Sequence, residues 1–239
     1  MYEKYSLSNV TCITPQKVIP GGSLQVEGDT ITGLNEQATR NYTCDERRYL
    51  YPALINVHDH LRGNYLPKIG PPEGTYYLNW SYWDVDLKAS PVYSERENIT
   101  PLDIYYLGAY KNIFSGVATV QDHFPHEMNE EFLPHMPLRV LSQYALAHEC
   151  SSFDLGWGKG VKPEHDRAVS ENIPFITHLE EGFDKESQNG VEILEKADSL
   201  DEYAVLIHCI GFSADDIKKA ERAGAHIVWC PASNMFMFN

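Results

Sequence analysis

The sequence predicts an α/β protein in which an incomplete (β/α)8 TIM-like barrel, without its last strand, follows a small N-terminal β-sandwich module. Three observations lead to this prediction. The first 51 residues contain short β-type runs between turn residues. From residue 52 onward, short apolar runs alternate with helical stretches. Several of these runs end on polar, chemically capable residues, as barrel strands do at an active site. The predicted domains are residues 1–51 and 52–239.

The N-terminal module is predicted from its alternation of β-type runs with proline and glycine, which is typical of hairpins. The runs are Ser6–Ile13, Ser23–Glu27 and Thr30–Leu34.

The barrel is predicted from six apolar runs, with one further strand less clearly marked within Glu149–Gly158, where glycines interrupt the pattern. Repeated strand-helix units favour a parallel sheet with helices outside it. The six runs are Leu54–His60, Val117–Asp122, Leu138–Ala145, Phe175–His178, Ala204–His208 and His226–Cys230.

One connecting helix has clear end signals. Ser213 suits the N-cap, Asp216 can complete a variant of the capping box, and Gly224 suits the position after the last turn. The segment between the last two runs is therefore a predicted helix.

A long irregular stretch, residues 61–100, follows the first barrel strand and is rich in aromatic residues between Thr75 and Trp83. Trp80 and Trp83 are candidate substrate-binding residues for a flat, ring-bearing molecule. A satellite core over the barrel mouth is an equally open interpretation.

The net charge, the apolar runs and the cysteine spacing disfavour several classes of protein. The net charge is −15, which disfavours nucleic acid and anionic membranes as partners because both attract basic surfaces. No apolar run is long enough to span a membrane. The five cysteines are widely spaced without a CxxC, and the N-terminus lacks a secretory signal, so a cytoplasmic protein is predicted.

The candidate metal-binding and catalytic residues lie at four predicted strand ends. His58 and His60 are two apart on a strand, so both imidazoles face one side and can reach one metal ion, although two unrelated polar residues are the alternative. His178 closes the next such strand, and Glu181 three residues on can move a proton, unless HLEE is only a helix start.

The other two strand ends are weaker signals alone. His208 ends the run from Ala204, where a histidine in a structural hydrogen bond is the alternative. The last run continues into Pro231, and Asn234 beyond it is a candidate substrate contact or part of an ordinary polar loop.

Taken in order, these motifs resemble the amidohydrolase superfamily, in the branch of the cytosine deaminases, guanine deaminases and triazine chlorohydrolases. The resemblance covers the whole chain. It is carried by PALINVHDH, GVATVQDH, THLEEG, LIHCIGFSADDI and GAHIVWCPASN.

The resemblance implies that His58, His60 and His178 are metal ligands, that Glu181 is the acid–base residue, and that His208 orients water or substrate. It further implies one divalent metal ion, with zinc favoured over iron, and a small-molecule substrate. Homo-oligomers are common in the family, so the oligomeric state is open.

The chain departs from the family pattern in two respects. The aspartate that ends the eighth strand in the family lies beyond the last residue, Asn239. His123 and His126 are unusual after the second strand, and a place at the surface or outside the immediate site is expected for them.

Two functional interpretations follow, besides a binding module without turnover. The first is a metal-dependent hydrolase, most simply a deaminase, that attacks carbon–nitrogen bonds of a small molecule with a metal-bound hydroxide. The alternative is a truncated, non-catalytic fragment or metal-binding relic of such an enzyme, with Met235–Phe238 as an exposed apolar tail.

Overall fold

A computed structural model describes residues 3–64 and 68–239, apart from the side chains of residues 46 and 47. The chain divides into two compact units, Met1–Leu54 and Ile55–Asn239. Each unit is described separately below.

The N-terminal unit contains one four-stranded sheet in its described residues, in the order β3-β2-β1-β4. Strands β1 and β2, and β2 and β3, are antiparallel, whereas β1 and β4 are parallel. The second layer of the predicted β-sandwich is not confirmed. The strands are β1 (Lys4–Ile13), β2 (Val18–Glu27), β3 (Thr30–Leu34) and β4 (Arg40–Leu50).

The buried positions of this sheet are largely polar. Ser6 and Ser8 on β1 are buried and hydrogen bonded to Asn41 and Thr43 on β4, at 2.8 and 3.2 Å. Side-chain hydrogen bonds therefore replace apolar packing over part of this unit.

The second unit is a mixed α/β structure with two sheets among its described strands, in the orders β5-β6-β7 and β11-β10-β9-β8. Every pairing described from β6 to β11 is parallel. Closure of the two sheets into a barrel stays a prediction. The strands are β5 (Leu54–Asp59), β6 (Val117–Asp122), β7 (Arg139–Val140), β8 (Ala145–Glu149), β9 (Phe175–Leu179), β10 (Ala204–His208) and β11 (His226–Val228).

Helices connect these strands. The predicted capping box of α7 is confirmed: Ser213 and Asp216 exchange hydrogen bonds, and Gly224 adopts a left-handed conformation at the C-terminus. The helices are α1 (Trp80–Ala89), α2 (Pro91–Glu95), α3 (Pro101–Phe114), α4 (His126–Asn129), α5 (Val161–Glu171), α6 (Gly190–Lys196), α7 (Ala214–Ala223) and α8 (Pro231–Phe238).

Successive side chains of a strand point to opposite faces of the sheet, and both faces of the four-stranded sheet in this unit are buried. Phe175 and Leu206 pack with Leu194 of α6 on one face. Ile176 and Ile207 form a cluster on the opposite face. The sheet is thus a rigid layer whose strand ends can hold functional side chains in place.

Three expectations about secondary structure differ from the structure, and the first is the further strand within Glu149–Gly158, where only Glu149 belongs to a strand. The predicted run Leu138–Ala145 is divided between β7 and the start of β8, and β8 ends on two buried polar residues, His148 and Glu149. The Met235–Phe238 tail lies in α8, with Met237 and Phe238 buried and Met235 exposed.

Among helices in the described ranges, none is both long and apolar enough to cross a lipid bilayer.

Candidate active site

The three predicted metal ligands come together in the second unit. His58 lies near the end of β5, His60 follows that strand, and His178 lies in β9. Each offers one ligand atom, and these atoms all lie within 4.8 Å of one another. The Nε2 atoms of His58 and His178 are 3.4 Å apart. Two nitrogens that bind one tetrahedral zinc ion at its usual bond length are separated by about 3.4 Å, so this spacing fits a shared ion.

The protonation of these rings also fits a metal. Burial lowers the pKa of His58 and of His178 well below the ordinary value of 6.5, and it lowers the pKa of His60 to about 3. The rings are therefore neutral at physiological pH. Nδ1 of His178 donates a hydrogen bond to the His148 carbonyl at 2.8 Å, which leaves the lone pair of Nε2 available to a metal ion.

A second trio, His58, His208 and Cys230, also brings ligand atoms within 4.8 Å of one another. Burial raises the pKa of the Cys230 thiol to about 12. Because a thiol must lose its proton to bind a metal ion, the three-histidine set is the better candidate.

Glu181 and His208 lie beside the three histidines. Ligand atoms of His178, Glu181 and His208 are within 4.8 Å of one another, and Nε2 of His208 is 3.4 Å from Oε1 of Glu181. Burial, with a smaller contribution from the charge of Glu149, raises the pKa of Glu181 well above 4.5. A carboxylate with a raised pKa accepts a proton more readily.

Asn234 lies against His208, where its amide is 2.8 Å from Nδ1 of that ring. With its nitrogen toward His208, the amide donates to Nδ1 and to the Cys230 carbonyl, and its oxygen accepts from the Trp229 indole. In this orientation, both the nitrogen and the oxygen of the Asn234 amide have hydrogen-bond partners. The proton of neutral His208 is then on Nε2, the nitrogen that faces Glu181. The predicted contact of Asn234 with substrate stays a prediction.

The strand ends at this site have unusual backbone conformations. Glu180 follows β9 with φ of 52°, and His208 ends β10 with φ of 73°. Such left-handed conformations cost free energy in residues other than glycine and are common at functional sites. Here they turn the chain sharply where Glu181 and His208 are presented.

Trp80 begins α1 and links two strand ends. Its main-chain N–H donates to the Glu181 carbonyl at 3.2 Å, and its indole Nε1 donates to Oε2 of Glu149 at 2.5 Å. The neighbouring Asn79 forms an isolated β-bridge with Gly182. A Cβ atom at Gly182 would lie 2.5 Å from the Asn79 Cβ atom, so this approach requires glycine.

Trp83 has different surroundings. Its indole donates to the Ile69 carbonyl at 3.0 Å, and its ring packs with Tyr77, Met237 and Phe238. Trp83 therefore contributes to a satellite core, as the alternative interpretation of this stretch expected. Its substrate-binding role stays a prediction.

Four further residues belong to the site but were not predicted there: His123, His148, Glu149 and Trp157. His123 is fully buried rather than peripheral, and its ring centroid is 4.0 Å from that of His178. The centroid of the Trp157 ring is 4.6 Å from that of His148. The only sequence signal was the position of His123 directly after the second barrel run and of His148 after an apolar triplet.

No protein-family model matches the chain, and a comparison with curated protein sequences found no similar one. Solved structures are similar in fold. Atrazine chlorohydrolase from Arthrobacter aurescens TC1, complexed with zinc, has a TM-score of 0.70 and 15% identity over 97% of this chain and 66% of its own. Guanine deaminase from C. acetobutylicum, with bound guanine, has a TM-score of 0.69 and 13% identity over 98% of this chain and 69% of its own.

An adenosine deaminase from Xanthomonas campestris, with bound zinc, is more distant, with a TM-score of 0.54 and 13% identity over 97% of this chain and 63% of its own. The chain thus spans about two thirds of the length of these structures. At 13–15% identity, these similarities show that the chain shares a fold with a chlorohydrolase and two deaminases.

Proposed function

We propose that this protein is a metal-dependent hydrolase that acts on carbon–nitrogen bonds of a small molecule, most simply by deamination. The observation that carries the proposal is the convergence of three neutral imidazoles, His58, His60 and His178, next to the buried carboxyl of Glu181. The fold shared with hydrolases and deaminases supports the same kind of reaction. The alternative of a non-catalytic fragment is not favoured by these neighbours.

The three histidines hold the metal ion in this proposal. A divalent ion held by these residues would supply Lewis-acid chemistry, which brings the pKa of water toward about 7. Three imidazole ligands suit zinc or ferrous iron, and we propose zinc because two of the similar structures contain it.

The chain's own residues then handle the protons. Glu181 takes a proton from the attacking water, a step that its raised pKa favours, and then passes that proton to the more basic nitrogen of the leaving amine. His208 presents its Nε2 proton between Glu181 and the substrate, held in that tautomer by Asn234. The ring of His148 packs against the rings of Trp80 and Trp157. We propose that a flat substrate packs against these three rings.

The first test is the metal content of the purified chain, measured by elemental analysis after size-exclusion chromatography, which also reports the oligomeric state. We expect about one zinc ion per chain, and loss of that ion in His58→Ala and His178→Ala. His165→Ala is the matched control, because His165 is as buried as His178 but its Nε2 pairs with Asp201 at 3.0 Å, outside the histidine group.

The second test is ammonia release from a panel of small amines, amidines and amino-substituted rings. We expect turnover that depends on His58 and Glu181. Turnover at an unchanged rate in His58→Ala, or zinc binding that does not depend on His58 and His178, would contradict the proposal.

A further inference from the structure

His58, His208 and Cys230 form a group of metal-binding side chains that the proposed reaction does not use together. Each offers one ligand atom, and the three atoms lie within 4.8 Å of one another. His58 lies near the end of β5, His208 ends β10, and Cys230 comes two residues after β11. The folded second unit therefore brings together donors that are far apart in the sequence.

This group is accessible to an ion from solvent. His58 and Cys230 are partly exposed, and His208 is buried between them and the rest of the site. The Cys230 thiol makes only a long contact, 4.0 Å, with the Val228 carbonyl. Nδ1 of His58 has no hydrogen-bond partner among the described residues. The thiol and this nitrogen are thus not committed to structural hydrogen bonds of normal length.

His208 can present a lone pair to an ion because Asn234 suits either tautomer of the ring. With its oxygen toward His208, the Asn234 amide accepts from Nδ1 at 2.8 Å, and Nε2 then carries the lone pair. The opposite orientation places the proton on Nε2 and adds bonds to the Cys230 carbonyl and the Trp229 indole. A bond from His208 to a metal ion must outweigh those two hydrogen bonds.

A thiol beside two imidazoles suits a different ion from three imidazoles. Thiolate sulfur favours soft, polarisable ions over hard ones. We propose that His58, His208 and Cys230 form a second metal site, which takes thiophilic divalent ions such as cadmium and shares His58 with the three-histidine site. The Cys230 proton leaves to solvent as the metal–sulfur bond forms. This site does not depend on the proposed reaction, because an ion can bind there whether or not the chain turns over a substrate.

The shared ring makes the two sites alternatives. His58 offers one ligand atom to either group, and two divalent ions held so close together repel each other. A thiophilic ion at the second site therefore displaces zinc from the three-histidine site.

Cys209 is the matched control thiol. It is partly exposed, like Cys230, and directly follows His208. However, it packs with the cluster that contains Leu206, whereas Cys230 packs with the cluster of Ile207 on the opposite face of the sheet. Within the described part of the chain, Cys209 belongs to none of the candidate ligand groups.

The experiment adds cadmium to the purified, zinc-loaded chain and records the ultraviolet absorption that a cadmium–thiolate bond gives. We expect the wild-type chain to gain this absorption up to about one cadmium ion per chain, and to release zinc in parallel, measured by elemental analysis. Cys230→Ser should lack the absorption, because a hydroxyl group is a hard ligand. Cys209→Ser should retain it.

Alkylation of the wild-type chain tests the same site without a substitution. Iodoacetamide modifies free thiols, and peptide mass spectrometry reports the modification of each cysteine. Cadmium should slow the modification of Cys230 by about tenfold or more, since a metal-bound thiolate is not free to attack, and should leave that of Cys209 unchanged.

A wild-type chain without the absorption, an absorption that persists in Cys230→Ser, or a Cys230 that is alkylated equally fast with cadmium overturns the inference. Zinc that stays bound while the absorption is complete overturns the sharing of His58. A chain that cannot be loaded with zinc contradicts the proposed function, but its cadmium–thiolate absorption still tests the second site.

Discussion

Asp122 gives a prediction whose size follows from its surroundings. It is fully buried at the end of β6, where its carboxylate accepts from the Leu61 N–H at 2.9 Å and from the Asn129 amide at 3.3 Å. Burial nevertheless raises its pKa from 3.8 to about 7, and the two hydrogen bonds only reduce that effect. The folded chain therefore holds this proton more tightly than the unfolded chain does.

Between pH 3.8 and about 7, the folded state binds more protons at this site, so the free energy of unfolding falls as the pH rises. The cost reaches about 4 kcal/mol above that window, at about 1.36 kcal/mol for each pH unit. Asp122→Asn has nearly the same shape and cannot ionise. We therefore expect its stability relative to wild type to increase steadily from pH 4 to pH 7 and to level off above pH 7.

The assay is urea unfolding at several pH values, with a chelator present so that metal binding does not contribute. At the lowest pH, the difference in the free energy of unfolding between Asp122→Asn and wild type reports any hydrogen bonds lost in the variant. The change of this difference with pH reports the ionisation of Asp122. Glu192→Gln is the control of opposite sign, because Lys196 lowers the pKa of that exposed carboxyl. A difference between Asp122→Asn and wild type that does not change with pH would refute the reasoning.

Two further predictions concern local structure. Ser213→Ala removes the side chain that accepts from the Asp216 N–H, and should lower the free energy of unfolding by about 1 kcal/mol in urea titrations; an unchanged midpoint would contradict the capping box. Gly158→Ala adds a Cβ atom 2.0 Å from the Leu146 carbonyl at φ of 75°, and should cost about 2 kcal/mol or more and shift the fluorescence of the neighbouring Trp157. Gly156→Ala, with φ of 72° and nothing within 4 Å, should cost only about 1 kcal/mol, and equal effects in both variants would argue against a steric contribution.

The strands that could be predicted are those whose apolar runs are uninterrupted. Phe175–His178 and Ala204–His208 match β9 and β10 almost to the residue. The helix between Ser213 and Gly224 was equally clear, because its start and end signals are local. Such elements depend on neighbouring residues in the sequence, so the sequence alone is sufficient.

β8 was missed for the opposite reason. Its last two residues, His148 and Glu149, are polar but buried, and polarity alone indicates a loop. Their burial depends on Trp80 and His178, which are distant in sequence. The role of Trp83 was open for the same reason, because its partners Met237 and Phe238 lie at the far end of the chain.

The contacts of Trp80 have a consequence for the order in which the protein is made. The segment around Trp80 bonds to Glu181, Gly182 and Asp184, about one hundred residues later in the chain. At about 5–20 residues per second, the ribosome needs roughly 5–20 s to supply those partners. During that interval the aromatic segment has none of these hydrogen bonds. Its side chains are then available to chaperones that bind the nascent chain.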